Sequence, residues 1–292
     1  MPWTFPYLSE TEELNDSVRA SAPGSFVQLS GGCTHYELGG PGDGQPVVLV
    51  HGFSVPYFIW DPTFTFLTES GFRVLRYDLF GRGYSDRPRV HYDIDLFCKQ
   101  LKDLLDTLGF EAINLIGLSM GGLITAWFTT RYPRRVQKLV LVDPIGARPV
   151  TAPGLLKALT TPGFGELALG LFGRGFLLKD VHSDFYDPVN VKAFVEKYMV
   201  QMKYKGFIRS LLSTMRYGML GDFSSTYHKI GELGIPTQLF WGRNDKTVPF
   251  AYSDDIRAAI PQTEFHAVED CAHIPHYEKP EEVNPLLLEF LK

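Results

Sequence analysis

The run Gly117-Leu118-Ser119-Met120-Gly121-Gly122 sets a serine between an apolar strand-like stretch, Ile113 to Ile116, and a helical stretch through Ala126, Trp127 and Phe128. A serine hydroxyl is a weak nucleophile unless a sharp strand-to-helix turn exposes it and a base takes its proton. The flanking glycines have a steric reason, because a side chain at 117 or 121 would collide across so tight a turn. A helix beginning at the serine also places its positive end where negative charge develops in attack on a carbonyl. The chemistry this spacing points to is acyl transfer through Ser119.

The partners such chemistry needs follow along the chain. His51-Gly52-Phe53 comes directly after the apolar run Pro46 to Val50, and the backbone N–H groups of Phe53 and Met120 are the natural pair for an oxyanion hole. His51 itself reads as a brace for that loop. Asp245, in Trp241-Gly242-Arg243-Asn244-Asp245, lies just past another apolar run and is the candidate acid, with capping of the next helix as its competing role. Two histidines, His273 and His276, follow the last such run, and His273 is closer to its end. The expected constellation is therefore Ser119, Asp245 and His273, in the chain order serine, acid, histidine. Asp143, in Leu141-Val142-Asp143-Pro144, also ends an apolar run and is the reserve acid, or else a helix or turn cap at the entry to the insertion.

The elements that must position these residues alternate. Apolar β-branched runs at Pro46 to Val50, Arg73 to Tyr77, Ile113 to Ile116, Val136 to Val142, Thr237 to Trp241 and Thr263 to Val268 are separated by helical patterns. Ser25 to Ser30 and Cys33 to Leu38 read as two more strands about Gly31-Gly32. Asp93 to Leu108 repeats Leu and Phe at helical spacing up to Gly109, and Pro280 to Leu291 reads as a closing helix. The expected fold is α/β, with a mostly parallel eight-stranded sheet covered by helices on both faces. The alternation breaks between Ile145 and Leu233, where helical segments rich in Phe, Tyr, Leu and Met take over. That break predicts a helical lid, residues 145–233, inserted into a core made of residues 1–144 and 234–292.

Composition narrows the partners. In 292 residues, 45% are hydrophobic and 14% aromatic, enough for a large core and an apolar pocket. The net charge of -5 is spread along the chain without a basic stripe, which argues against a nucleic-acid partner. No run has the length of a membrane span, and Met1 to Pro6 lacks the charged start and apolar core of an export signal. Cys33, Cys98 and Cys271 are odd in number and far apart, which fits a reducing cytoplasm better than a disulfide framework. Metal-ligand spacing is absent, and the expected chemistry needs neither metal nor organic cofactor. Oligomeric state is not legible.

With these motifs in view, the chain resembles the α/β-hydrolase superfamily over nearly everything outside the insertion. Asp78-Leu79-Phe80-Gly81-Arg82-Gly83-Tyr84-Ser85 is similar to the family's structural D-x-x-G-x-G-x-S loop, and His273, Glu278 and Pro280 match its H-x4-E-x-P ending. The second match favours His273 over His276. The resemblance implies a serine carboxylesterase, with a small acyl ester as substrate. Dehalogenases and epoxide hydrolases of the family carry aspartate at the position of Ser119. Its carbon-carbon hydrolases of dienone acids usually show Asn before the serine and Trp after the histidine, where this chain has Leu118 and Ile274. Proline iminopeptidases usually show Trp in place of Met120, and many haloperoxidases and esterases show Pro in place of Ser54. The remaining branch, esterases and lactonases, shares the Ser-Met-Gly-Gly elbow. A lactonase, a carbon-carbon hydrolase and a non-catalytic small-molecule receptor on this fold stand as alternatives, along with acyl transfer to an acceptor other than water.

Overall fold

The computed structural model describes residues 7–149 and 154–292. The start of the chain, read above for an export signal, and residues 150–153 of the expected insertion lie outside them. Eight strands form one sheet: β1 (Ser25–Leu29), β2 (Gly32–Gly39), β3 (Pro46–Val50), β4 (Arg73–Tyr77), β5 (Ile113–Leu118), β6 (Val136–Val142), β7 (Thr237–Gly242) and β8 (Glu264–Val268). Their spatial order is β1-β2-β4-β3-β5-β6-β7-β8. Only the β1–β2 and β2–β4 pairings are antiparallel. The remaining pairings are parallel, so this is the eight-stranded, mostly parallel sheet that the run of apolar segments predicts.

The strands read as nearly continuous apolar runs because both faces are covered. Alternate residues feed two separate cores, as the two-residue period of a strand requires. Val48, Val50, Leu115, Leu139 and Leu239 join one core with Phe97, Leu101 and Leu104 of the Ile94–Thr107 helix. Val47, Leu49, Ile116, Val140 and Phe240 join the other with Leu67, Val283 and Leu287 from the Asp61–Glu69 and Pro280–Leu291 helices. The Ile94–Thr107 helix starts where Asp93 accepts the Leu96 N–H at 2.9 Å, and beyond its end Gly109 takes φ 70°.

Strand order positions the site. From β3 the chain crosses to β4 on one side and then returns to β5 on the other, so the crossovers reverse between β3 and β5. The carboxyl ends of strands at such a switch point diverge and leave a crevice. His51-Gly52-Phe53 leaves β3 and Ser119 leaves β5 at that point. Between β6 and β7 the described chain is helical, as Leu155–Thr160, Phe164–Ser183, Val191–Met202, Phe207–Arg216 and Ser224–Leu233.

Candidate active site

Ser119 joins β5 to the Met120–Arg131 helix with φ 53° and ψ −116°, a backbone conformation that L side chains rarely adopt. Neighbours too small to clash make it possible. A Cβ on Gly117 would lie 2.4 Å from the Gly121 carbonyl oxygen, and one on Gly121 would lie 2.2 Å from that of Val50. The turn is pinned where the Ser119 N–H donates to Val142 at 2.8 Å and its carbonyl accepts from Leu123 and Ile145, both at 3.2 Å.

The two proposed oxyanion donors, the N–H groups of Phe53 and Met120, bond to no described residue, and both residues line the cavity beside Ser119. The peptide that carries the Phe53 N–H is held from behind, since its carbonyl, that of Gly52, lies 2.9 Å from His51 Nδ1. His51 Nε2 accepts the Leu79 N–H at 2.9 Å. A ring accepting through Nε2 must carry its proton on Nδ1, so His51 donates to Gly52. Burial lowers the His51 pKa to about 4 and keeps the ring neutral. Next to it, the wholly buried Arg82 donates through Nε to the Phe53 carbonyl at 2.7 Å. Ser54 lines the cavity, and its carbonyl accepts from Gln201 at 2.6 Å.

His273 and Asp245 come together from the loops after β8 and β7. Their Nδ1 and Oδ2 atoms are 2.7 Å apart, and both side chains are buried. The other Asp245 oxygen accepts the Thr247 and Val248 N–H groups at 2.8 and 2.9 Å, so one carboxylate both shapes its turn and orients the ring. Burial disfavours the His273 imidazolium, but the charge and hydrogen bond of Asp245 outweigh it. With Asp184 and Asp143 adding to the pull, the pKa stands at about 10. His276 differs: it is buried against Trp60 with ring centroids 4.1 Å apart, and burial lowers it to about 3. It is absent from the cavity wall, whereas His273 is on it.

Asp143 caps no helix. It is wholly buried at φ 42°, its Oδ1 accepts the Gly242 N–H at 2.9 Å, and its Oδ2 has no partner among the described residues. Burial and the Asp245 charge raise its pKa well above the usual carboxylate range. Asp143, Asp245 and His273 each offer an atom within 4.8 Å of the others, the one group among the described residues close enough to hold a metal ion. The direct 2.7 Å contact between His273 and Asp245 uses those two atoms on each other.

A cavity of about 410 Å³ opens onto Ser119 and His273, with apolar walls from Val55, Ile59, Leu118, Phe194, Met219 and Val248. Of the described aromatic residues in the insertion, Phe194 alone lines it; Phe185, Tyr198 and Phe207 are buried in the core, and Phe164, Phe172, Phe176, Tyr186 and Tyr217 are exposed. Sequence reasoning missed Asp180 and Asp184, which line the cavity from the end of the Phe164–Ser183 helix. Burial raises both carboxyls, Asp184 to about 7. It also missed how Glu278 works: one oxygen accepts the Ala272 N–H at 2.9 Å and the other the Tyr186 N–H at 2.7 Å, tying the His273 loop to the end of the same helix.

The profile of the Alpha/beta hydrolase family matches residues 47–286, most of the chain. The chain belongs to the α/β-hydrolase family. Among curated α/β hydrolases it is 30% identical to the 2-hydroxy-6-oxononadienedioate/2-hydroxy-6-oxononatrienedioate hydrolase of Paraburkholderia phymatum, over 93% of this chain and 96% of that one. Among solved structures, the meta-cleavage product hydrolase from Pseudomonas fluorescens superposes with a TM-score of 0.73 at 26% identity, over 92% and 97% of the two chains. The enol-lactonase from Burkholderia xenovorans, 22% identical over 91% of this chain and 99% of that one, shares the fold at a TM-score of 0.79.

Proposed function

We propose that this α/β hydrolase cleaves carboxylic esters through a covalent acyl-enzyme on Ser119. The observation that carries the reading is the strained serine and the bonded His273–Asp245 pair opening onto one largely apolar cavity. Because a carboxylate only accepts, Asp245 keeps the ring proton on Nδ1 and leaves Nε2 as base. His273 then takes the Ser119 proton as Oγ attacks the carbonyl. The Phe53 and Met120 N–H groups receive the oxyanion, the alcohol leaves with the proton from His273, and a water activated by His273 releases the acid. Residues 145–233 act as a cap on the core, supplying Asp180, Asp184, Phe194 and Thr214 to the cavity wall. Three free thiols at Cys33, Cys98 and Cys271 support a reducing compartment such as the cytoplasm. Among the described residues no helix is long and apolar enough to cross a membrane.

A second reading, hydrolysis of a carbon-carbon bond in a dienoic acid, is favoured by the names of the relatives. Leu118 and Ile274 stand where such enzymes usually carry Asn and Trp, and the ester reading takes precedence for that reason. A panel of p-nitrophenyl esters of rising chain length, with a lactone and a dienone acid included, separates the readings. Ester turnover should dominate and fall by several orders of magnitude in Ser119→Ala. An organophosphate should label Ser119 alone. Preferred turnover of the dienone acid would overturn the reading.

A further inference from the structure

Resting on the hydrolase reading, we propose that the Ser54 hydroxyl is a third donor to the oxyanion, beside the Phe53 and Met120 N–H groups, and that the Tyr198 phenol is the positioning residue that aims it. Ser54 follows Phe53 directly and lines the same cavity as Ser119 and His273. The backbone on both sides of it is fixed. The Phe53 carbonyl accepts Arg82 Nε at 2.7 Å, the Ser54 carbonyl accepts Gln201 Nε2 at 2.6 Å, and Gln201 Oε1 accepts the Gly83 N–H at 2.8 Å. Arg82 and Gln201 are both buried, so the Ser54 side chain reaches the cavity wall from a held loop. Tyr198 lies three residues before Gln201 on the Val191–Met202 helix, which puts the two on one face. The Tyr198 side chain is wholly buried, and its Oη makes no hydrogen bond to a described residue. A phenylalanine would fill that space without stranding a polar group. Ser54 is the side chain that bears on this phenol as a hydrogen-bonding partner, whereas Asp180, Asp184 and Arg82 act on it through their charge.

The protons set the direction. A buried phenol with no other acceptor turns its proton to Ser54 Oγ. The serine oxygen carries one proton of its own, and with a lone pair taken by Tyr198 that proton must point elsewhere. No described residue is bonded so as to accept it, and the open side is the cavity. A donor there meets the substrate carbonyl oxygen as attack by Ser119 gives it charge. A hydrogen bond to a charged oxygen is shorter and stronger than one to a neutral carbonyl, so the gain is made in the transition state and shows in kcat. The proline that many esterases of the family show in place of Ser54 has no hydroxyl to give.

The test pairs turnover with a ligand that forms the oxyanion and stops there. In Ser54→Ala, kcat for a p-nitrophenyl ester should fall by about ten- to a hundredfold while KM stays within about threefold, since two donors remain. In Tyr198→Phe, kcat should fall by about three- to tenfold at unchanged KM, although thermal stability holds or rises because a stranded hydroxyl is gone. An alkyl trifluoromethyl ketone reads the same donors without turnover. Ser119 Oγ bonds to the ketone carbon, the Ser119 proton passes to His273, and the ketone oxygen becomes the oxyanion. Its inhibition constant should rise in step with the loss of kcat in both variants. An unchanged kcat in Ser54→Ala, or a loss that appears in KM alone, overturns the proposal. An unchanged kcat in Tyr198→Phe, or a loss matched by lost stability, removes Tyr198 from it. An active esterase indifferent to Ser54→Ala would sink this inference alone. An enzyme that prefers the dienone acid, yet loses kcat for it in Ser54→Ala, would sink the ester reading alone.

Discussion

Asp143 and Asp245 follow neighbouring strands and bring two buried carboxyl groups within 4.8 Å of each other, with the His273 ring equally near. Two carboxylates so close cannot both ionise cheaply, and burial sets that cost on Asp143. Asp245 holds His273 Nδ1, and two further N–H groups stabilise its charge. Asp143 has one N–H donor, an unpartnered second oxygen and a strongly raised pKa. The expected outcome is that Asp245→Asn, which favours the wrong imidazole tautomer, lowers ester turnover by about ten-thousand-fold. Asp143→Asn keeps the shape of the side chain and an oxygen to accept the Gly242 N–H, and should cost less than about tenfold. Turnover of one p-nitrophenyl ester by both variants decides it. If Asp143→Asn is the crippling change, Asp143 is the acid.

His273 works as a base only when neutral, so kcat/KM should rise with pH as the ring loses its proton. The acids around it, Asp245, Asp184 and Asp143, lift that step from the ordinary 6.5 to about 10. The rising limb should therefore run well above neutral pH. Removing the nearest charge makes the imidazolium less stable, so in Asp245→Asn the residual activity should rise at lower pH than in wild type. A wild-type limb at 6.5 or below would show that these acids are not charged around the ring.

The elements that place this chemistry were legible because each leaves a local signature. Asp93 and Gly109 bracket an apolar periodicity, and the glycines at 117 and 121 mark a turn that tolerates no Cβ. The meeting of Asp143 with Asp245 was not legible, because it depends on β6 lying beside β7, a pairing between segments almost a hundred residues apart. Asp180 and Asp184 escaped for another reason. Their helix is apolar all round, with Leu169, Leu177 and Val181 buried but Phe164, Leu171 and Phe172 exposed, so no stripe reveals which face turns inward.

Phe194 is the aromatic of the insertion that reaches the cavity, and it packs edge-on against Phe58, Phe185 and Tyr277 with centroids 5.0 to 5.2 Å apart. Phe194→Ala should enlarge the cavity and raise kcat/KM for long acyl chains relative to the acetate. The lost packing should cost about 3–5 kcal/mol of stability. An equal loss at every chain length, in protein shown to be folded, would mean that Phe194 serves packing alone.

Acid should destabilise the fold through buried histidines. His51 and His276 have pKa values of about 4 and 3, below the 6.5 of an unfolded chain. Between those values the unfolded state binds more protons, so stability falls as pH drops from 6.5 toward 3. His35 has the opposite sign. Burial opposes its charge, but Asp78 at 2.7 Å outweighs that and raises its pKa, so its contribution is present below 6.5 and is lost as pH rises through the folded value. Denaturant midpoints measured across this range should fall on the acid side in wild type. His276→Phe keeps a ring against Trp60 without a titrating group and should fall less steeply. Equal slopes would remove His276 from the acid response.

The last prediction separates a brace from a catalyst at His51. Its ring spans the Gly52 carbonyl and the Leu79 N–H, each at 2.9 Å, and so fixes the peptide whose N–H, that of Phe53, is one of the two proposed oxyanion donors. His51 is absent from the cavity wall. In His51→Ala both backbone groups lose their partner in a buried place, at about 1–3 kcal/mol each, and the Phe53 peptide is free to tilt. Tilting one donor away from the oxyanion should lower kcat by up to about a hundredfold, within the cost of deleting a donor, while KM stays within a few-fold because the ground-state carbonyl relies less on it. His51→Gln supplies a side-chain donor and acceptor and should recover part of kcat. The pH limb set by His273 should not move in either variant. A changed limb would place His51 in the proton-transfer chain, and an unchanged kcat would show that the loop holds its shape without the ring.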